Sequence, residues 1–249
     1  MARGLYVETV VRAPLEELWQ ATQDPAQHQR WDLRFTEISY GRPPAPGEPQ
    51  CFVYALRLGP RWLPIARVAG AGTTLGERRR ADGTRTSALR FASPDPRSPL
   101  LEGSGWWRYV PTTDGVRFLT GYDYRPRWGR VGEVLDRRVL RPWMGWATAW
   151  SFDRLRIWLE DGTPPEASLR RALADVTGRA TAVALPVALL RRRGALVAGL
   201  GGVAGLVLAV AVPAPPGVPR ARRCLRRPPD ALGRREPSIA AGLTDGPGR

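Results

Sequence analysis

The chain of 249 residues has no lysine: all 38 of its basic residues are arginine, set against 23 acidic ones. It also has one histidine and two cysteines. A lone His28 cannot build a His-rich metal site. Cys51 and Cys224 lie far apart in dissimilar contexts, so neither ligand spacing nor a disulfide framework follows. No metal and no cofactor is expected. There is no Gly-rich phosphate loop and no Ser–His–acid arrangement. The first residues, MARGLYVETVVRAPLEE, contain no apolar run and no small-residue cleavage site. No secretory signal is read there, and residues 1–180 are expected to stay cytoplasmic.

The net charge of +15 suggests nucleic acid at first sight. Its distribution argues otherwise. Residues 1–160 carry 24 Arg against 17 acidic residues, and residues 161–249 carry 14 against 6. A nucleic-acid binder clusters basic residues on one element with interleaved stacking aromatics. Arginine-only basicity with abundant Ala, Gly and Pro instead matches the coding bias of a GC-rich genome. Nucleic acid is therefore not expected as a partner, and attraction of the tail to anionic lipid fits better.

The ordered part is organised around Val116–Glu160. Val116, Phe118, Thr120, Tyr122 and Tyr124 share one parity, opposite to Arg117, Leu119, Gly121 and Asp123, which marks a strand. After Pro126 and Gly129 the period changes. Val131, Leu135, Val139, Trp143, Trp146 and Trp150 recur every three or four residues, the apolar stripe of a long helix. Pro142 lacks the N–H that would bond Arg138, so it kinks or divides that helix, as a hinge or as a fixed bend.

Upstream, Leu5–Val11 reads as a strand. Pro14 and Leu15–Trp19 open a short helix, and Asp24 is placed to cap a second one through His28 to Trp31. Phe35–Tyr40, Cys51–Leu58, Arg61–Ala69, Arg85–Phe91 and Ser104–Val110 read as strands. Gly70–Gly76 and Ala81–Gly83 read as breakers, and Asp114-Gly115 as a hairpin turn. Strands in an unbroken run are most simply antiparallel. The expected fold is α+β: a curved antiparallel sheet wrapped around a long helix, with a cavity between them if the core is incompletely filled.

Val10-Val11-Arg12-Ala13-Pro14, then Glu17, Leu18, Trp19 and Trp31, resembles the opening of the START-like superfamily. This is also called the SRPBCC or Bet v 1-like helix-grip fold, and it includes the polyketide cyclase/dehydrase proteins. Tyr122-Asp123-Tyr124, the Gly-containing bend and the Arg-rich long helix extend the resemblance, which covers roughly residues 3–160. It implies a hydrophobic small molecule or lipid bound between sheet and helix, and in some members cyclase or aromatase chemistry.

The domain reading is residues 1–161 for the ligand-binding domain and 162–193 for a linker with short helices. Residues 194–213 form a candidate transmembrane helix, and 214–249 an Arg/Pro-rich disordered tail. Ala195–Val212 is 18 uncharged residues, near the lower end of the length that spans a bilayer. Gly201 and Gly205 would let a second helix pack closely. Membrane localisation by a single crossing is expected.

The cavity candidates are Tyr54, Phe118, Tyr122, Trp143, Trp146 and Trp150. Adjacent Trp106 and Trp107 must face opposite sides of a strand. No catalytic residue is assigned. Asp123 with Arg90 or Arg117 is an acid–base candidate, but its parity aims it outward, where a solvated ion pair is expected. His28, in PAQHQR, reads as exposed. The expected function is a membrane-tethered carrier or binding domain. A cyclase/aromatase-like enzyme and a membrane-bound partner-binding scaffold are the alternatives.

Overall fold

A computed structural model of the chain describes residues 4–42, 45, 48–58 and 66–237. Strand β1 (Leu5–Val11) is followed by helices α1 (Leu15–Gln23) and α2 (Pro25–Trp31). Then come β2 (Glu37–Tyr40), β3 (Cys51–Leu58), β4 (Ala66–Arg79), β5 (Arg85–Ala92), β6 (Leu100–Thr112) and β7 (Gly115–Pro126). All pair antiparallel in one seven-stranded sheet of order β1-β7-β6-β5-β4-β3-β2. The first strand lies beside the last, so the sheet curves round the helix that follows β7. This is the helix-grip arrangement. As expected, Asp24 caps α2, its side chain accepting from the Ala26 N–H at 2.9 Å.

The strand β4 runs through the glycines read as breakers. Gly70 pairs with Tyr54 and Gly72 with Phe52, and a methyl group at either glycine would collide with the facing ring. These glycines make room for aromatic rings within a sheet. The backbone irregularity is confined to a bulge between Thr74 and Gly76. Of the strand expected at Arg61–Ala69, residues 61–65 lie outside the described residues.

The long helix is divided near Pro142. Helix α3 (Gly129–Leu135) passes through a π-helical turn, Asp136–Leu140, into α4 (Arg141–Asp161), with Pro142 in the first turn of α4. The backbone stays helical through the junction, and the π turn, in which the Arg141 N–H bonds the Asp136 carbonyl, accommodates the proline where the regular ladder would lack its N–H. Buried Asp136 holds the junction, accepting from Tyr124 Oη at 2.5 Å and Arg141 Nε at 2.9 Å.

The face of α4 that meets the sheet differs from the expected stripe. Its buried residues include Gly145, Ala147, Thr148, Ala149, Ser151, Phe152 and Leu155, while Val131 is 75% and Val139 54% exposed. Of the stripe, Trp150 alone is buried. Small residues let the helix backbone approach the sheet, and a reading weighted by side-chain size picks the opposite face. At the centre Phe118 stacks on Phe152 with centroids 4.3 Å apart, and on Tyr109 at 5.0 Å.

After α4, residues 165–212 form a helical hairpin. Helix α5 (Pro165–Leu190) is continuous through Pro186, so the expected linker with short helices is corrected to one 26-residue helix. A turn at Arg191–Arg193 leads into α6 (Ala195–Ala211). Gly201 faces Pro186 and Leu190, and Gly205 faces the backbone of Ala182 and Val183, so the two helices run antiparallel in close contact. Arg179, tied to Asp175 at 2.8 Å, also donates to the Ala209 carbonyl.

The chain then returns to the domain. The buried Asp153 carboxylate of α4 accepts from the Arg220 N–H (2.7 Å), Arg223 Nη1 (3.0 Å) and Arg156 Nε (2.9 Å). Leu225 and Glu8 exchange two backbone hydrogen bonds of 2.9 Å, an isolated bridge that covers the middle of the open edge of β1. Beyond this, Arg117 pairs with Asp230 at 2.9 Å. Arg108 donates to the carbonyls of Leu232 (2.6 Å) and Arg235 (2.9 Å) on the sheet face opposite α4. The expectation of a disordered tail is therefore corrected for residues 214–237, while 238–249 lie outside the described residues. Of the residues expected to cross a membrane, 195–211 form an apolar helix of 17 residues that packs on α5, and the chain after it packs on residues 4–161.

Cys224 is buried under this tail, donating to the Ala149 carbonyl at 3.2 Å, and burial pushes its thiol up to about 12. Cys51 is exposed. At about pH 8, near the ordinary thiol value, iodoacetamide is expected to modify Cys51 and spare Cys224 in the native chain, as read by peptide mass. Asp153→Ala releases the tail and makes Cys224 react. Equal labelling of both cysteines in the native chain would contradict the docked tail.

Candidate functional site

A cavity of about 130 Å³ lies between the inner face of the sheet, α2 and the start of α4. Its wall is largely apolar: Phe35, Ile38, Phe52, Tyr54, Leu89, Phe91, Leu100 and Met144. Tyr54 comes from β3 and spreads over Gly70, with Phe35 and Phe91 edge-on at 5.5 and 6.5 Å. Tyr122 comes from β7, and its hydroxyl bonds Thr148 Oγ1 (2.8 Å) and the Met144 carbonyl (3.3 Å) on α4. Burial raises the Tyr122 phenol and pushes Tyr54 up to about 12. At neutral pH both are protonated; the Tyr122 proton is held by Thr148 and the Met144 carbonyl, so its oxygen can accept from a guest, while Tyr54 can donate to one.

One corner is polar, and its residues were not among the sequence candidates. His28 lies one turn before Trp31 on α2 and stacks on it at 4.8 Å, with Phe35 and Trp107 edge-on at 5.5 and 5.0 Å. Its Nε2 lies 3.0 Å from Asp32 Oδ2. The expectation that His28 is exposed is corrected: its side chain is 12% exposed. Arg34 forks onto the same carboxylate through Nε (2.9 Å) and Nη2 (2.6 Å), and its guanidinium lies 5.3 Å from the Tyr122 ring centre. Burial alone would raise the Asp32 carboxyl, but Arg34 and His28 outweigh it and hold the group far below the ordinary range. Two spacings carried this signal: His28 and Trp31 three apart, and His28 and Asp32 four apart, each on one helical face.

The structure separates the six sequence candidates. Tyr54 and Tyr122 border the cavity. Phe118 shares the parity of Tyr122 but is enclosed by Tyr109 and Phe152 in the packed core. Trp150 is buried against Trp146 and beneath the Arg154 guanidinium. Trp143 and Trp146 are exposed on the outer side of α4. Trp106 and Trp107 diverge as expected, Trp107 packing with Trp31 and Phe118, and Trp106 with Tyr6 and Leu119.

Asp123 points outward and pairs with Arg141 at 2.9 Å, while Arg117 pairs with Glu8 at 2.8 Å, so Asp123 and Arg117 do not meet. Among the described residues, no group of three or more His, Cys, Asp or Glu side chains could hold a metal ion. The arrangement can enclose an apolar body and offer its polar end a guanidinium, an imidazole and phenolic hydroxyls.

No family model matches the chain. It is 41% identical over 175 residues to a Bacillus subtilis (strain 168) protein described as "Uncharacterized membrane protein YndG", covering 70% of this chain. The chain spans 63% of the length of that relative. Similar solved structures include TTHA0849 from Thermus thermophilus, at 14% identity and a TM-score of 0.47, covering 64% of this chain and 99% of that one. Another is a STAR-related lipid transfer protein from Xanthomonas axonopodis, at 16% identity and a TM-score of 0.44, covering 62% and 84%.

Asp32→Ala strands the buried Arg34 charge and is expected to cost about 3–5 kcal/mol of unfolding free energy, read by urea denaturation. A carboxylate held low in the folded state stabilises fully above its unfolded value of about 3.9 and loses that contribution as pH falls below it. The difference between wild type and Asp32→Ala should therefore shrink in acid. A difference that is constant with pH would show that Asp32 is not held as described.

Proposed function

We propose that the chain is a membrane-anchored, START-like binding or carrier domain for a hydrophobic small molecule or lipid with a polar end. The observation that supports this is an apolar cavity with one polar corner. Tyr54, Phe35 and Phe91 enclose the apolar part, and Arg34, His28 and Tyr122 meet the polar end. A cavity of about 130 Å³ is comparable to one that holds a benzene-sized body. A ring or a short acyl segment fits within it.

Anchoring is assigned to the hairpin in place of a single span. The helical segment Pro165–Arg193 is long and apolar enough to cross a membrane by length and composition, and α6 adds a shorter apolar helix of 17 residues. Their outward apolar side chains, among them Leu189, Leu196, Val203 and Val210, are exposed. The name of the Bacillus relative supports the membrane reading. Anchoring raises the effective concentration of the cavity near lipid-soluble guests. A hairpin leaves domain and tail on one side, as their contacts require.

One observation favours catalysis as a second reading. The His28 imidazole is oriented by a buried carboxylate at the cavity wall, the arrangement of a general acid–base pair. In that case His28→Gln abolishes turnover while guest binding persists.

The binding reading is tested with the full chain in lipid nanodiscs and para-cresol, a ring with one polar end, as probe, read by isothermal titration calorimetry. Saturable uptake is expected, and Leu89→Trp, which fills the cavity, should lower it at least fivefold while the thermal transition is kept. Uptake that is absent, or unchanged in Leu89→Trp, would refute it.

A further inference from the structure

The row Val131, Leu135, Val139, Trp143 and Trp146 is left uncovered by the fold. Each is exposed, from 37% at Leu135 to 75% at Val131, and Trp128 and Val134 widen the patch. Residues four apart drift round an α-helix of 3.6 residues per turn. The wider π turn at Asp136–Leu140 takes up that drift in the middle of the row. The row therefore stays in line along one side of α3 and the start of α4. Beside it, about a quarter-turn round the helix, Arg130 and Arg138 are exposed and make no ion pair among the described residues, Arg137 lies on the far side, and Glu133 is the one exposed acid between residues 128 and 146.

We propose that this face docks on the surface of an anionic lipid bilayer. A helix with an aliphatic and tryptophan side, flanked by arginines, lies in the interface with its apolar face among the acyl chains and its guanidinium groups at the phosphates. The charge selects this occupant over a second copy of the chain. A two-fold contact through the row would bring Arg130 and Arg138 of one copy close to the same residues of the other. The row lies at the N-terminal end of α4 and the hairpin leaves from its C-terminal end, about 30 Å away along a 21-residue helix. Both reach one bilayer when α4 lies along its plane. Met144, next to Trp143, lines the cavity, so a docked α4 holds that part of the cavity wall near the lipid. That consequence rests on the binding reading, whereas the docking does not.

The test uses the full chain with Cys51→Ser, reconstituted in vesicles of equal parts phosphatidylcholine and phosphatidylglycerol. An environment-sensitive fluorophore is placed at Val139→Cys, or at Val53→Cys as an exposed control on β3. At Val139 the emission is expected to shift to shorter wavelength and to be quenched by spin-labelled lipid, with neither effect at Val53. Arg130→Glu with Arg138→Glu should lower the docked population, by roughly fivefold for each basic side chain removed from an anionic surface. A Val139 probe as water-exposed as the Val53 probe would overturn the proposal. So would a shift equal in phosphatidylcholine alone and indifferent to the two arginines, or one that grows with protein concentration in detergent, which would mean a second copy.

Discussion

The buried carboxylate of Asp153 is the contact on which the rest of the chain's course depends. It sits on α4, fully enclosed, and gathers the Arg220 backbone and the Arg223 and Arg156 side chains. A charge so placed is tolerated because its partners satisfy it from several sides. With residue 220 fixed to residue 153, everything between must leave the domain and come back. That makes the apolar stretch a hairpin. It also brings Leu225 to the unpaired edge of β1, which would otherwise be open to strand addition.

The same device appears at the cavity. Asp32, equally enclosed, is shared by His28 from α2 and by Arg34 from the segment after it. It holds the wall of the cavity and its polar groups together. One buried carboxylate thus secures the tail and another shapes the site. Between them lies a dry aromatic column, Tyr109, Phe118 and Phe152, that fills the centre. This column confines the empty space to the end of the sheet near Tyr54 and Met144.

Much of the architecture was legible in the sequence, because period-two alternation and turn residues are local signals. The parity of β7 assigned Phe118 and Tyr122 inward and Asp123 outward. Other features depend on partners far along the chain. Gly70 and Gly72 look like breakers until Tyr54 and Phe52 are seen lying across them. The α4 stripe misled because the helix buries its small residues and keeps large ones outside. Arg220–Arg235 carries the composition of a disordered tail, and only Asp153, Glu8 and Arg117 give it a place. Of the site, the aromatic wall was partly anticipated through Tyr54 and Tyr122. The polar corner was not, since His28 sits in a segment whose neighbours are polar.

The central claim is that domain and tail lie on one side of a membrane, joined through an inserted hairpin. It is tested most directly by labelling sealed vesicles of known orientation with a membrane-impermeant maleimide. The chain carries Cys51→Ser and a single new cysteine, at Val53 in the domain or at Arg222 in the tail, both exposed. The hairpin predicts that both positions react from the same side, and that neither reacts from the other until the vesicles are opened. Reaction of Val53→Cys from one side and Arg222→Cys from the opposite side would contradict it.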